Sequence, residues 1–274
     1  MPAPKYPPPL EGIPRITNST LNLYLKCGLR WWMEKQQPDV RWATVRMLIG
    51  TGLGAGALAD NRSKMDRGTA ATIGDITDAA VAAYEIEAGA SEVPEPKTDI
   101  ATGKDSTAEA ARVFALQVSP QTPGVIEAER PLLAVLRGIQ LAGTPDVVTD
   151  SGIGDYKTGQ PWTQARADAS RQLTAYSILR RVNSNRHNGS GTAQPRRVWI
   201  DSISHSAKGW TAQRWWSTRN NDDMEAFLQV MTRAVAGMQA GVALPAAENS
   251  WHCSAKWCPQ WKRCPAVNAG RKGI

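Results

Sequence analysis

Hydrophobic and polar positions along the chain recur with two periods, one typical of helices and one typical of strands. Apolar residues three or four positions apart predict helices with one face toward a core. The first of these helices begins in the polar run at 17–20, which supplies several N-cap residues. Further helices are predicted at 43–59, 75–90, 107–118, 163–182 and 221–240.

Alternating or β-branched segments predict the strands. They lie at 125–136, 139–148, 153–157, 197–204 and 211–217. A tight turn is predicted at 150–152, a Pro-rich extended arm at 1–13, and loops at 91–106 and 183–195. The order is helices, three strands, a helix, further strands and a last helix. This order indicates an α/β or α+β sheet flanked by helices.

Four glycines alternate with other residues inside the second predicted helix, at Gly50, Gly52, Gly54 and Gly56. Glycine lowers helix propensity, and a glycine run can also form a phosphate-binding loop. No β-branched strand precedes this run, and no Gly-Lys-Ser/Thr ends it. We therefore predict close packing of a helix against a neighbour.

The net charge of the chain is +7, and its distribution is uneven. Ten lysines and arginines fall between Gln160 and Arg219, with only two acids, Asp168 and Asp201. Such a block would attract a polyanion such as nucleic acid. A basic, solvated face of the protein is the alternative.

No apolar run approaches the roughly 18 residues that a membrane helix needs. The first eleven residues are Pro-rich and lack the apolar part of a secretory signal. We therefore expect a cytoplasmic protein with no membrane partner.

Two acids and a lysine lie around the predicted turn between the strands 139–148 and 153–157. Side chains alternate along a strand, so Asp155 and Lys157 point to the same face. The turn can bring Asp146 alongside Asp155. Two facing carboxylates repel each other, and Mg²⁺ or Mn²⁺, which prefer oxygen ligands, would remove that repulsion. The pattern predicts a divalent-metal site, and an exposed polar hairpin is the alternative.

These residues resemble the signature of the PD-(D/E)XK nuclease superfamily. The Pro-Asp pair ending at Asp146 is followed, after eight residues, by Asp155-Tyr-Lys157. The run from Gln172 to Tyr176 is similar to a helix motif of the RecB-type branch. The resemblance implies a restriction-endonuclease-like mixed central sheet flanked by helices, with Asp146 and Asp155 as metal ligands and Lys157 as a catalytic residue. It also implies that Gln172 and Tyr176 support the site or the DNA backbone.

The chain departs from that superfamily at one motif. The early helix of the family carries a metal-binding histidine, and Gly54 stands at that place here. Either water or another carboxylate such as Glu85 takes the place of the histidine, or activity is weakened. The family also often has a glutamate on the strand before the Pro-Asp pair. Glu129 is the predicted metal ligand there, with Glu127 as the alternative, and a structural salt bridge remains open for both.

The four cysteines divide into one early residue, Cys27, and a late group, Cys253, Cys258 and Cys264. Their spacing is looser than the close pairs of a zinc ribbon, and a reducing cytosol disfavours disulfides. Around a PD-(D/E)XK core, this arrangement resembles the iron–sulphur nucleases, including the AddB nuclease domain and the CRISPR-adaptation nuclease. The resemblance implies a 4Fe–4S cluster held by all four thiolates. Zinc and unliganded thiols are the alternatives.

Three tryptophans, Trp251, Trp257 and Trp261, surround the late cysteines. Buried aromatic side chains commonly exclude water, so we predict that they shield the cluster. Stacking on single-stranded DNA is the alternative.

These expectations divide the chain into an N-terminal arm and helix (1–45), a nuclease core (46–242) and a C-terminal iron–sulphur lobe (243–274). The resemblance implies a metal-dependent DNA exonuclease that acts on single-stranded or resected ends in recombination or repair, as a stand-alone enzyme of a phage or mobile element. Expected partners are DNA and a recombination or annealing protein. Because of Gly54, the alternative is a weakened or inactive DNA-binding protein with the same fold.

Overall fold

The protein is described here from a computed structural model. The structure describes residues 14–36, 41–187, 197–247 and 250–268. The predicted Pro-rich arm at 1–13 lies outside the described residues. So does most of the predicted loop at 183–195, together with Arg196 of the basic block.

Helices form much of the described chain, and several begin with a side-chain cap. Thr17, Thr44 and Thr72 each accept a hydrogen bond from a backbone N–H in the first turn of the helix that follows. The helices are α1 (Asn18–Lys26), α2 (Gly28–Gln36), α3 (Val45–Arg67), α4 (Ile73–Ala90), α5 (Lys97–Val113), α6 (Gln164–Asp168), α7 (Arg171–His187), α8 (Asn221–Gln239) and α9 (Pro265–Asn268). A π-helical turn (Phe114–Val118) extends α5.

The strands form two mixed sheets. The three-stranded sheet has the order β1-β4-β3, and the five-stranded sheet has the order β2-β5-β6-β7-β8. The pairs β1–β4 and β6–β7 are parallel, and the other pairs are antiparallel. The strands are β1 (Arg15–Thr17), β2 (Val125–Ala128), β3 (Leu132–Leu136), β4 (Ile139–Gly143), β5 (Val147–Thr149), β6 (Gly152–Gly159), β7 (Arg197–Ser206) and β8 (Gly209–Ser217). The predicted mixed α/β class with flanking helices is confirmed.

Two predicted strands are wrong, because each is split between the two sheets. The segment 125–136 divides into β2 and β3, and the chain turns between them at Glu129, whose φ is 46°. The segment 139–148 divides into β4 and β5 around Pro145, whose nitrogen has no hydrogen to donate to a strand ladder. Alternation continues on both sides of each break, so the sequence pattern does not reveal the change of sheet.

Two helix predictions also differ from the structure. The predicted loop 91–106 is wrong in its second half, because α5 begins directly after Pro96. A proline is well tolerated at a helix start, where its missing N–H would have had no partner. The predicted helix 163–182 is two helices, α6 and α7, separated at Ala169 and Ser170. Because α7 continues to His187, the predicted loop 183–195 is wrong at 183–187.

The glycines of α3 allow it to pack closely on α4. A Cβ atom on Gly52 would lie 2.7 Å from the carbonyl oxygen of Ala80, and one on Gly56 would lie 2.6 Å from that of Ile76. The helix is continuous through the glycine run. Close helix packing is therefore confirmed, in preference to a phosphate-binding loop.

The N-terminal segment packs into the main core. Ile16 and Leu21 are buried in one cluster with Leu141 of β4 and Phe227 of α8. The domain boundaries at 45 and 242 stay predictions, since the two sides of the first boundary share this core. Among the helices in the described ranges, none is long and apolar enough to cross a membrane.

Candidate active site

A cavity of about 340 Å³ opens where α3 and α7 meet β6 and the start of α1. Its walls include Gly50 and Gly54 of α3 and Asn18 of α1. The structure also brings all five predicted catalytic side chains to this cavity. They are Asp146, Asp155, Lys157, Gln172 and Tyr176.

The β5–β6 hairpin places Asp146 opposite Asp155. Val147 pairs with Gly154 in the antiparallel ladder, so the residue before Val147 faces the residue after Gly154. The Oδ2 atom of Asp146 accepts a 2.6 Å hydrogen bond from the backbone N–H of Tyr156. Two carboxylates are therefore held at one place by the backbone itself.

Asp155 is almost fully buried, with 1% of its surface exposed. Its Oδ1 atom accepts a 2.8 Å hydrogen bond from Gln172 and lies 3.3 Å from the Tyr176 hydroxyl. Gln172 also donates to that hydroxyl at 2.8 Å, and the hydroxyl donates to the carbonyl oxygen of Thr144 at 2.9 Å. Burial, together with the charge of Asp155, raises the pKa of Tyr176 well above its usual value, so the hydroxyl keeps its proton. These contacts fix the orientation of the Asp155 carboxylate, whose Oδ2 atom then faces Lys157.

Lys157 forms an ion pair with Asp155, with 2.6 Å between Nζ and Oδ2. Burial lowers the pKa of Lys157, but the charges of Asp155 and Asp146 outweigh burial, and the net change of the pKa is upward. The ammonium group beside these two carboxylates therefore stays charged at neutral pH.

The acidic pair carries more negative charge than one lysine can neutralise. Burial raises the pKa of Asp146 well above its usual value, and the charge of Asp155 raises it further. Lys157 and the Tyr156 N–H act in the opposite direction but do not reverse the change. An additional positive charge at this place would stabilise both ionised carboxylates.

The residues present fit a divalent cation with oxygen ligands. Asp146 and Asp155 supply carboxylate oxygens at one cavity, and the ammonium of Lys157 lies 2.6 Å from Oδ2 of Asp155. Mg²⁺ and Mn²⁺ usually keep several waters and take only one or two protein carboxylates. In the described ranges, no three His, Cys, Asp or Glu side chains gather closely enough to hold a metal ion. A cation here would therefore complete its coordination with water or with other oxygens.

The other predicted carboxylates lie in different surroundings. Glu129 is near enough for its charge to raise the pKa of Asp146, but it is not among the residues that line the cavity. Burial raises the pKa of Glu129 itself, and Arg62 opposes that change. Glu127 forms ion pairs with Arg130 and Arg180, at 3.0 and 3.1 Å, which agrees with a structural salt bridge.

Gly54 leaves an open space on the α3 wall. A Cβ atom at this position would meet no atom within 4 Å. The expectation that Glu85 fills this place is wrong, because Glu85 is exposed and forms an ion pair with Lys104. The helix therefore offers no side chain to the cavity at the place of the expected histidine.

Sequence reasoning missed several residues at the site. Asn18 and its neighbours reach the cavity because β1 pairs with β4, more than a hundred residues later in the chain. Arg46 lies beside Gly159 at the end of β6, and Arg166 is close enough to Lys157 to lower its pKa. The N-cap pattern predicted where α1 begins, but no sequence signal placed that end at this cavity.

The predicted basic block does not form one uniform surface. Arg214 forms a 2.8 Å ion pair with the buried Asp201, and Arg219 is buried and donates to Thr174 and to backbone oxygens. These two arginines therefore stabilise the fold through buried contacts and are not part of a basic surface. Exposed members remain available to a ligand: Arg166, Arg171, Arg181, Arg197 and Lys208.

The four predicted cluster cysteines line a second, smaller cavity: Cys27, Cys253, Cys258 and Cys264. None of the four is joined to another by a disulfide. Burial raises the pKa of Cys258, and the nearby thiols of Cys27 and Cys264 raise it further, whereas Arg30 lowers it. The thiols share a cavity, but no three of them come close enough in the described chain to hold a metal ion.

The tryptophans near these cysteines do not share one role. Trp261 lines the cysteine cavity, as a shielding residue would. Trp251 is 70% exposed and packs edge-on against Trp257, with 5.7 Å between the ring centroids. The prediction that all three shield the cysteines is therefore wrong for Trp251.

Comparison with known proteins relates this chain to a nuclease family and to solved exonuclease structures. The family profile of the PD-(D/E)XK nuclease superfamily matches residues 15–265. The crystal structure of a candidate exonuclease from Eubacterium rectale has a TM-score of 0.52 at 12% identity, covering 91% of this chain and 87% of its own. The alkaline exonuclease LHK-Exo from Laribacter hongkongensis has a TM-score of 0.29 at 16% identity, covering 72% of this chain and 93% of its own. No curated protein matches the chain.

The mixed sheets, the flanking helices and the carboxylate–lysine hairpin define an α/β protein of the nuclease class. Because the family profile covers most of its length, the chain belongs to the PD-(D/E)XK nuclease superfamily. Members of this superfamily typically use divalent metals.

Proposed function

We propose that this protein is a Mg²⁺- or Mn²⁺-dependent deoxyribonuclease that removes nucleotides from single-stranded or resected DNA ends in recombination or repair. The observation that carries the proposal is the position of Asp146 opposite Asp155, with Lys157 paired to Asp155 in the same open cavity. Membership of a nuclease superfamily supports the reaction class. Action from an end is an expectation from the sequence resemblance, and a cytoplasmic location is an expectation from the composition of the sequence.

In this proposal Asp146 and Asp155 hold the cation. When bound, the cation would polarise the scissile phosphodiester and make a bound water more acidic. Gln172 and Tyr176 keep Asp155 in one orientation through its Oδ1 atom. The charged ammonium of Lys157 stabilises negative charge as it develops on the phosphate.

Positive side chains near the cavity supply contacts for the DNA backbone. Arg46 lies beside Gly159, and Arg166 lies near Lys157 and stacks on Trp162, 4.1 Å from the ring centroid. Such contacts are independent of sequence and weaken as salt concentration rises. Replacing either arginine with alanine would weaken DNA binding and reduce its salt dependence, whereas the exposed Lys97 at the start of α5 serves as a control.

A second part of the proposal rests on the sequence resemblance: a 4Fe–4S cluster held by Cys27, Cys253, Cys258 and Cys264. The four thiols line one cavity, and they would have to move closer together to hold the cluster. Thiolates are the ligands that such clusters use, and the cavity draws them from both ends of the chain. The cluster would fasten the segments near residues 27 and 264 together. A recombination or annealing protein as partner belongs to the same proposal.

The test is a nuclease assay on end-labelled single- and double-stranded DNA with Mg²⁺ or Mn²⁺. The wild type is compared with Asp155→Ala, Lys157→Ala and Asp150→Ala, the last being an exposed acid on the same hairpin. We expect the first two variants to lose activity and the third to keep it. DNA binding without cleavage by the wild type would favour the inactive DNA-binding protein that the open space at Gly54 suggests.

A further inference from the structure

Asn18 is a buried polar residue to which the proposed function assigns no role. It is the first residue of α1, its surface is 8% exposed, and it lines the active-site cavity. Its Oδ1 atom is buried and accepts no hydrogen bond in the described part of the chain. Leaving a buried acceptor without a partner destabilises a folded protein, so such an atom points to a missing ligand.

The strand pairing brings Asn18 close to the segment that carries Asp146. Thr17 pairs with Ala142 in the parallel β1–β4 ladder, so Asn18 lies beside Gly143, at the point where β4 ends. The chain then runs through Thr144, whose carbonyl oxygen accepts a hydrogen bond from Tyr176, and reaches Asp146. Asn18 and both acids therefore face one cavity from two adjoining backbone segments.

The chemistry of the unpartnered atom selects the kind of ligand. An amide oxygen needs a hydrogen-bond donor or a cation, and neither an ionised carboxylate nor an ionised phosphate oxygen can supply a donor. A divalent cation between oxygen ligands would satisfy it. Because the amide is neutral, Asn18 would add a ligand without adding to the repulsion between Asp146 and Asp155.

We propose that Asn18 supplies a third protein oxygen, its Oδ1 atom, to the divalent cation held by Asp146 and Asp155. The open space at Gly54 means that α3 contributes no side chain there, so the start of α1 takes this part instead. This inference rests on the proposed function, because it requires the metal centre. In this proposal the metal ligands come from the start of α1 as well as from the β5–β6 hairpin.

The test measures Mn²⁺ affinity directly, by electron paramagnetic resonance or calorimetry on the purified full chain without DNA. Asn18→Ala removes the oxygen, and Asn18→Asp keeps its place and adds charge. An aspartate in the first turn of α1 is also favoured by the helix dipole, so Asn18→Asp is expected to fold. Asn22→Asp is the matched control, since Asn22 lies on the same helix and contacts Arg171 at 2.9 Å.

We expect Asn18→Ala to bind Mn²⁺ about tenfold more weakly. Asn18→Asp should bind at least as tightly as the wild type, and Asn22→Asp should not change affinity. If Asp155→Asn abolishes Mn²⁺ binding while both Asn18 variants leave it unchanged, the role of Asn18 is overturned and the proposed metal centre stands. If Asn18→Ala weakens the binding of a short oligonucleotide but not of Mn²⁺, Asn18 contacts phosphate and the proposal is also overturned. If the wild type binds no Mn²⁺, the metal centre and this inference both fail.

Discussion

The backbone N–H of Tyr156 donates a 2.6 Å hydrogen bond to the carboxylate of Asp146, and so ties that carboxylate to the neighbour of Asp155. The two acids are thus fixed together by the hairpin before any ligand binds. Among the residues that the structure describes, Lys157 alone forms an ion pair with these acids, and it contacts Asp155. The fold accepts an unfavourable concentration of negative charge at one place, as active sites commonly do.

Neutralising Asp146 should stabilise the metal-free protein. The pKa of Asp146 is raised in the folded chain, first by burial and then by the charge of Asp155. A raised carboxyl pKa means that folded stability falls as pH rises from the usual aspartate value through the folded pKa. Asp146→Asn keeps an acceptor for the Tyr156 N–H and removes this charge. We expect a gain of roughly 1 kcal/mol at neutral pH, or about 2–4 °C in Tm.

Thermal unfolding in the presence of a chelator, between pH 4 and pH 8, checks this expectation. The difference between Asp146→Asn and the wild type should grow with pH, and added Mn²⁺ should stabilise only the wild type. Asp150→Asn, at the exposed turn of the same hairpin, is the control. A variant less stable than the wild type at every pH would contradict the argument.

Replacing Lys157 should separate catalysis from metal binding. Its charge is expected to stabilise the phosphate in the transition state, so Lys157→Ala should lower kcat by about 10²–10³-fold. The same change removes a cation that competes for Asp155, and Mn²⁺ affinity should therefore not fall. Single-turnover cleavage and Mn²⁺ titration measure the two effects, with Lys208→Ala at an exposed position as the control. A parallel loss of metal affinity and activity would assign Lys157 a purely structural role.

Much of the candidate site follows from short-range periodicity. Asp155 and Lys157 are two apart on a strand, and Gln172 and Tyr176 are four apart on a helix, so each pair shares a face. The sequence pattern predicts Asp146 inside a strand, whereas the structure places it in the break before β5. Its position opposite Asp155 nevertheless follows from the hairpin register, which the short turn at 150–152 fixes.

The rest of the site depends on long-range pairing that local pattern does not encode. Asn18 reaches the cavity only because Arg15–Thr17 pairs with β4. The split of residues 125–149 between two sheets depends on a left-handed Glu129 and on Pro145, and both sides of each break keep the same alternation. The burial of Arg219, within a run that reads as a basic surface, depends on the packing of α6, α7 and β8.

Placing a histidine at Gly54 should strengthen the metal site. A side chain at this position would extend into open space in the cavity wall, and an imidazole is a good ligand for Mn²⁺. We expect Gly54→His to bind Mn²⁺ about tenfold more tightly. The matched control is Gly89→His, because Gly89 is also a helical glycine with open space around it but lies outside the cavity. Equal affinities in the two variants would show that α3 does not face the cation.

Loss of the cysteine ligands should destabilise the protein. If the four thiolates hold a 4Fe–4S cluster, anaerobically purified wild type should be brown and contain about four irons per chain. Cys258→Ser should lose iron. Its free energy of unfolding should fall by on the order of several kcal/mol, because cluster binding contributes to folding free energy. Ser254→Ala, between two of the cysteines, is the control. Zinc without iron in the purified wild type would contradict the cluster.

The most direct test of the central claim is anomalous diffraction from crystals of the wild type grown with Mn²⁺. The account predicts a manganese peak in the cavity within roughly 2–2.5 Å of carboxylate oxygens from both Asp146 and Asp155, and no such peak in Asp155→Asn. A peak bound by only one of these acids, or no peak in the cavity at a Mn²⁺ concentration that supports cleavage, would contradict it.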